Sequence, residues 1–201
     1  MATRTLVLQG TGPGSALDLG DAGRLAARAA AGLTVGSALA LSAFFAVGEP
    51  WGTLNDTLSI GLAWSTVPIA VDLVRRHPTS SLLRAGVVAD LAGVAATTVF
   101  TSLLISRRMT FEESLQPILT GQALIGTWLI LAGAAARSDR GSRGPAMLGI
   151  LGGAGLVATA AGIATGGMES PVAAIGFISA FVGTTGFYGL LGRRLAASAS
   201  R

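Results

Sequence analysis

Apolar residues run through this chain in long unbroken blocks, and polar residues gather in the short joints between them. A bilayer's hydrocarbon layer is about 30 Å thick and takes about 20 apolar helical residues at about 1.5 Å each. Six windows meet that requirement: Ala29 to Val47, Thr57 to Val74, Leu83 to Ile105, Pro117 to Ala136, Ala146 to Ala164 and Pro171 to Leu191. Without water in that layer, every backbone N–H and C=O must find its partner inside a helix or a closed barrel. The lack of period-two alternation selects helices. The fifth window is the least apolar, since glycine, alanine and threonine supply much of it.

Charge orients the spans, because short cytoplasmic joints of membrane proteins carry an excess of basic residues. All 14 basic residues are arginine. Twelve fall in alternate joints and at the two ends, and only Arg107 and Arg108 fall in the other set, where Glu49, Asp56, Glu112, Glu113 and Glu169 gather. Both termini are therefore expected in the cytoplasm, and the even span count this needs supports the fifth helix. The expected fold is an all-α integral membrane protein. Its six transmembrane helices form a bundle of three antiparallel helical hairpins, with residues 1–24 as a flexible polar leader, 25–195 as the membrane domain and 196–201 as a cytoplasmic tail.

The net charge of +4 would suggest nucleic acid in a soluble protein, but arginines at span ends read as topology anchors and headgroup contacts. No nucleic-acid partner is expected, because no aromatic residues interleave with the basic ones. The exclusive use of arginine with abundant alanine and glycine fits a GC-rich bacterial genome, and so a bacterial inner membrane. The lipid bilayer is the expected surrounding. Glycine-rich helix faces are candidate contacts to a second copy or to other membrane proteins, since helices in lipid associate by close backbone approach. The candidate seams are Gly32 with Gly36, Gly149 with Gly153, Gly162 with Gly166, and the series Gly183, Gly186, Gly189 and Gly192. The small-residue look of the first, third and fifth spans is compatible with a triplicated hairpin or with shared composition alone.

Two acids lie inside the spans. Asp72 stands three residues before Arg75, a spacing that predicts a surface ion pair. Asp90 lies six residues, about 9 Å, beyond Arg84, where a charged carboxylate costs a few kcal/mol unless paired or hydrated. Along the third span Gly86, Asp90, Gly93, Thr97 and Thr101 share one stripe. Asn55, Ser59, Ala63, Thr66 and Ala70 form another on the second span, as do Gln122, Gly126 and Gly133 on the fourth. These stripes either hydrogen-bond the helices together or line a polar crevice with Asp90 at its inner end. The candidate crevice residues are Asp90, Thr97, Thr101, Gln122, Thr66 and Ser59. Pro68 frees a carbonyl within the second span and predicts a kink.

The chain has no cysteine and one histidine, His77. Thiolate and paired-histidine metal or haem sites are thereby excluded, no metal or other cofactor is expected, and no hydrolase motif or potassium-type filter is present. These absences argue against an enzyme. Two function classes stay open. One is a small permease or carrier of a small solute or ion that uses Asp90 in a polar crevice. The other is a non-transporting accessory, scaffold or regulatory subunit of a membrane complex.

Overall fold

The computed structural model describes residues 19–137 and 141–193, and every regular element among them is an α-helix. The helices are α1 (Asp21–Val47), α2 (Trp51–Arg76), α3 (Ser81–Ile105), α4 (Phe111–Ala136), α5 (Arg143–Gly166) and α6 (Pro171–Arg193). All six are long and apolar enough to cross a membrane. Each contains its sequence window; α1 to α5 overrun it chiefly at the N-terminal end, and α6 only at the C-terminal end. The windows count hydrocarbon alone, whereas a 26-residue helix such as α2 is about 39 Å long and reaches into the headgroup layer.

Local signals account for these extensions. Thr110 accepts a hydrogen bond from the Glu113 N–H while the Glu113 carboxylate accepts one from the Thr110 N–H, a reciprocal cap that starts α4 six residues before Pro117. Ser80 caps α3 by accepting from the Leu83 N–H at 3.3 Å. Helix α1 begins at Asp21, so residues 21–24, read as part of the leader, are helical. Leu19 is buried, and the Gly20 N–H donates to Asp72 at 2.6 Å. The leader before Leu19 and the tail lie outside the described residues.

The helices pack in chain order as a ring that α1 and α6 close. Apolar side chains crowd the outside of it. Leu39, Phe45, Val88, Ile175 and Ile178 are exposed, while Thr66, Asp90, Thr97, Thr101 and Ser114 are buried. This distribution reverses that of a protein in water and matches a surrounding of lipid.

Glycine sets the closest seams. On α3 and α4 a methyl at Gly93 would stand 2.5 Å from the Gly121 carbonyl oxygen, so only hydrogen fits there. On α5 and α6, Gly152 lies on Gly183 and Thr184, Gly155 on Gly176 and Ala180, and Gly162 on Ala173. The predicted pairs hold only in part. Gly32 has nothing within 4 Å of its would-be Cβ, Gly36 meets only a leucine side chain, and Gly166 meets only Ser170. The α6 series also divides, because α6 sits between α5 and α1. Gly183 and Gly186 face α5, Gly192 faces Arg28 of α1, and Gly189 faces open space.

The seams differ in extent. Neighbours from α3 to α6 contact one another heavily, as do α1 and α2, while the α2–α3 and α1–α6 seams are sparser. One side-chain hydrogen bond among the described residues crosses the α2–α3 seam, from Thr66 to Asp90, and the Arg28 guanidinium donates to the Gly192 carbonyl across the α1–α6 seam at 2.9 Å.

Candidate functional site: a central cavity above Asp90

The half of the ring at the arginine-rich end is solid. Ile69 and Leu73 of α2, Trp128 and Leu129 of α4 and Phe187 and Leu191 of α6 are each at most 1% exposed and form one cluster. Trp128 and Phe187 meet edge to face at 6.1 Å between ring centres, which makes Trp128 a packing residue.

Toward the arginine-poor end the helices part around a cavity of about 960 Å³. All six contribute to its wall. At the mouth stand Glu49, Asn55 and Asp56 beside the α1–α2 turn, Arg107 after α3 and Met168 after α5. Farther in, Ser37 and Ser59 face Leu62, Leu156 and Phe181, and the deepest wall residues are Thr66, Thr184 and Tyr188. On the α1–α2 side the Ser37 hydroxyl donates to the Asn55 side-chain oxygen at 2.6 Å and lies 3.2 Å from the Ser59 hydroxyl. This polar strip pins two helices together and gives the cavity one hydrophilic wall.

Four of the six predicted crevice residues line this cavity: Ser59, Thr66, Thr97 and Gln122. Asp90 lies just beyond the wall, with no exposed surface, held by a 2.7 Å hydrogen bond from the Thr66 hydroxyl to its Oδ1. Its Oδ2 is buried without a partner. Thr101 is buried but does not line the cavity. Gly86 and Gly93 of the α3 stripe pack on α4, and Gly126 and Gly133 of the α4 stripe pack on α5, so only part of each stripe turns inward. The α2 stripe is the most complete, with Asn55, Ser59, Ala63 and Thr66 on the wall.

Asp72 corrects the predicted pairing. Its ion pair is with Arg76 at 3.3 Å, one helical turn on, rather than with Arg75 at three residues. The difference has a cause in geometry: the same carboxylate accepts the Gly20 N–H, which turns it toward the segment entering α1 and toward the Arg76 side of the helix.

The Thr66 hydroxyl has two acceptors in reach, the Ala63 carbonyl at 2.8 Å and Asp90. A hydroxyl owns one proton. With Asp90 ionised, Thr66 points that proton at the carboxylate. With Asp90 protonated, the acid donates to Thr66 and Thr66 donates to Ala63. Either protonation state of Asp90 can therefore keep its bond to Thr66, the two differing only in which group donates.

Sequence reasoning missed two participants. Tyr188 is 1% exposed, packs edge to face on Phe187 and lines the deep end of the cavity. Arg107 occupies the residue after the α3 cap with φ 56°, a left-handed backbone where glycine is favoured, and it does so at the cavity mouth. The bonds from Arg107 N–H to the Leu104 carbonyl and from Arg108 N–H to the Leu103 carbonyl, both 2.9 Å, fix that conformation. No sequence pattern marks a non-glycine residue in this role.

No family model, curated protein or solved structure matches the chain.

Proposed function

We propose that this chain is a small-solute carrier of a bacterial inner membrane, with three antiparallel hairpins, both termini cytoplasmic and the cavity opening to the outside. The observation that carries the reading is the cavity itself: a vestibule of ligand size, polar on one wall, solid toward the arginine-rich end and separated by a single threonine from a buried carboxylate. A carrier needs a site reached from one side at a time, and a wide vestibule over a packed plug has the form of an outward-facing state. The Thr66–Asp90 pair supplies a proton-accepting group at the boundary between the two.

The absence of native cysteine makes the test direct. Cysteine introduced at Ser59 is expected to react with a membrane-impermeant maleimide added outside intact cells, and cysteine introduced at Leu73 in the plug to resist it. In proteoliposomes holding a pH-sensitive dye, a panel of small solutes is expected to include some that drive proton entry. Asp90→Asn should abolish that entry while the purified variant melts within a few degrees of wild type. If Ser59→Cys is labelled only from the cytoplasmic side, or if Asp90→Asn leaves solute-driven proton entry intact, the carrier reading fails.

A further inference from the structure

Five of the chain's seven phenylalanines, Phe44, Phe45, Phe111, Phe177 and Phe181, and its one tyrosine, Tyr188, line the central cavity. Aromatic residues are otherwise scarce in this sequence, at 5%. Their collection around one space is therefore a property of that space. Apolar aliphatic side chains fill most of the remaining inner wall, which suits a solute with a large apolar body.

The charges on the wall are unequal. Glu49 and Asp56 are carboxylates, Arg107 is the single cation, and Asp90 waits beyond Thr66. Glu49 spends its carboxylate partly on the N–H and hydroxyl of Thr53, whereas the hydrogen bond to Asp56 is a long 3.4 Å contact from Asn55. Among the described residues no guanidinium lies within ion-pair distance of Glu49, Asp56 or Asp90. Deeper in, Thr97 belongs to the wall, but its hydroxyl turns into the α3–α4 seam beside Gly121 and leaves this part of the cavity apolar.

We propose that the occupant is a hydrophobic organic cation, an apolar and preferably aromatic body bearing one delocalised or quaternary positive charge. Ring faces attract such a charge through their quadrupoles without asking it to shed a tight hydration shell. The carboxylates at the mouth select its sign and raise its local concentration. Arg107 limits the field and disfavours small inorganic cations that would need full carboxylate coordination. The proposal rests on the cavity being a solute site, and it names the class of solute.

Tetraphenylphosphonium and tetraphenylborate share size and shape and differ in sign, so the pair isolates the charge. Equilibrium dialysis of the purified chain in maltoside micelles, with protein-free micelles subtracted for partitioning, should show the phosphonium bound at least about tenfold more tightly than the borate, as one net charge several ångströms away in a partly desolvated site produces. Asp56→Asn should weaken phosphonium binding about fivefold or more, and Arg107→Gly should strengthen it. Cavity filling by Ala38→Trp, or by Leu156→Trp should the first not fold, should abolish it. Equal affinity for the two ions, tighter borate, or indifference to Asp56→Asn overturns the cation proposal and leaves the carrier reading standing. Phosphonium binding that survives both cavity-filling variants places the ion elsewhere and also overturns the proposal. Loss of the carrier reading would come from labelling and proton entry, not from this assay.

Discussion

Asp90 is tolerated because one of its oxygens is bonded, and the bond comes from a residue whose hydroxyl has a second acceptor in reach. Removing the donor leaves a buried acceptor with nothing, a loss of about 1–3 kcal/mol. Thr66→Val is therefore expected to lower the melting temperature in detergent, while Thr66→Ser, which keeps the hydroxyl, should restore it; equal melting of valine and serine variants would separate Thr66 from Asp90. The neighbouring anomaly is Arg107. A left-handed non-glycine residue costs about 1 kcal/mol, so Arg107→Gly should stabilise the α3 terminus by about that amount in chemical denaturation of the detergent-solubilised chain. A fall in stability would mean that the guanidinium holds contacts worth more than the backbone strain. Asp90, Thr66, Ser59, Thr97 and Gln122 were legible from sequence because inward polar residues recur with the helical period. Arg107 and Tyr188 were not, since a lone backbone conformation and a lone ring in an apolar block carry no periodic signal.

At the scale of helices, composition announced glycine seams but not their partners. Which glycine touches backbone depends on the rotation of each helix, and rotation in lipid is set by neighbours rather than by an amphipathic stripe. Gly186, within the predicted series, meets only the flexible end of Leu148, at 3.0 Å, whereas Gly183 meets the α5 backbone. Gly183→Ile should accordingly cost about 3 kcal/mol or more and separate α5 from α6, Gly186→Ile should cost less, and Gly189→Ala should be neutral or mildly stabilising. Melting of the three variants in one detergent ranks them directly. A Gly183 variant as stable as that at Gly189 would mean the two helices are not in contact in the folded protein. Helix number was readable because the windows are long and nearly uncharged. Helix ends were not, as the Thr110–Glu113 cap carries α4, and helical polar residues carry α2, well past the apolar stretch.

Across the whole molecule, apolar surface faces out and the buried polar residues face in beside an apolar plug, with the packed end toward the arginines and the open end away from them. That polarity of shape coincides with the polarity of charge that the sequence displays. The cavity itself was only half foreseen. Polar stripes imply a shared interior, but whether facing helices touch or part depends on the bulk of every opposing side chain, and the aromatic wall arises from residues scattered over three helices, α1, α4 and α6.

The uneven seams set α1 and α2 somewhat apart from α3 to α6, and both groups line the vestibule. A two-helix arm fastened to a four-helix base by a carboxylate latch on one flank and a guanidinium clasp on the other can swing only if both fasteners yield. Protonating the carboxylate reverses the latch's donor without breaking it, so under the proposed carrier function a solute's arrival would supply the rest of the leverage. Tying the second flank covalently, with cysteines at Arg28 and Gly192, should then arrest turnover yet leave loading of the vestibule untouched, a dissociation that flux and dialysis on the same oxidised sample would read.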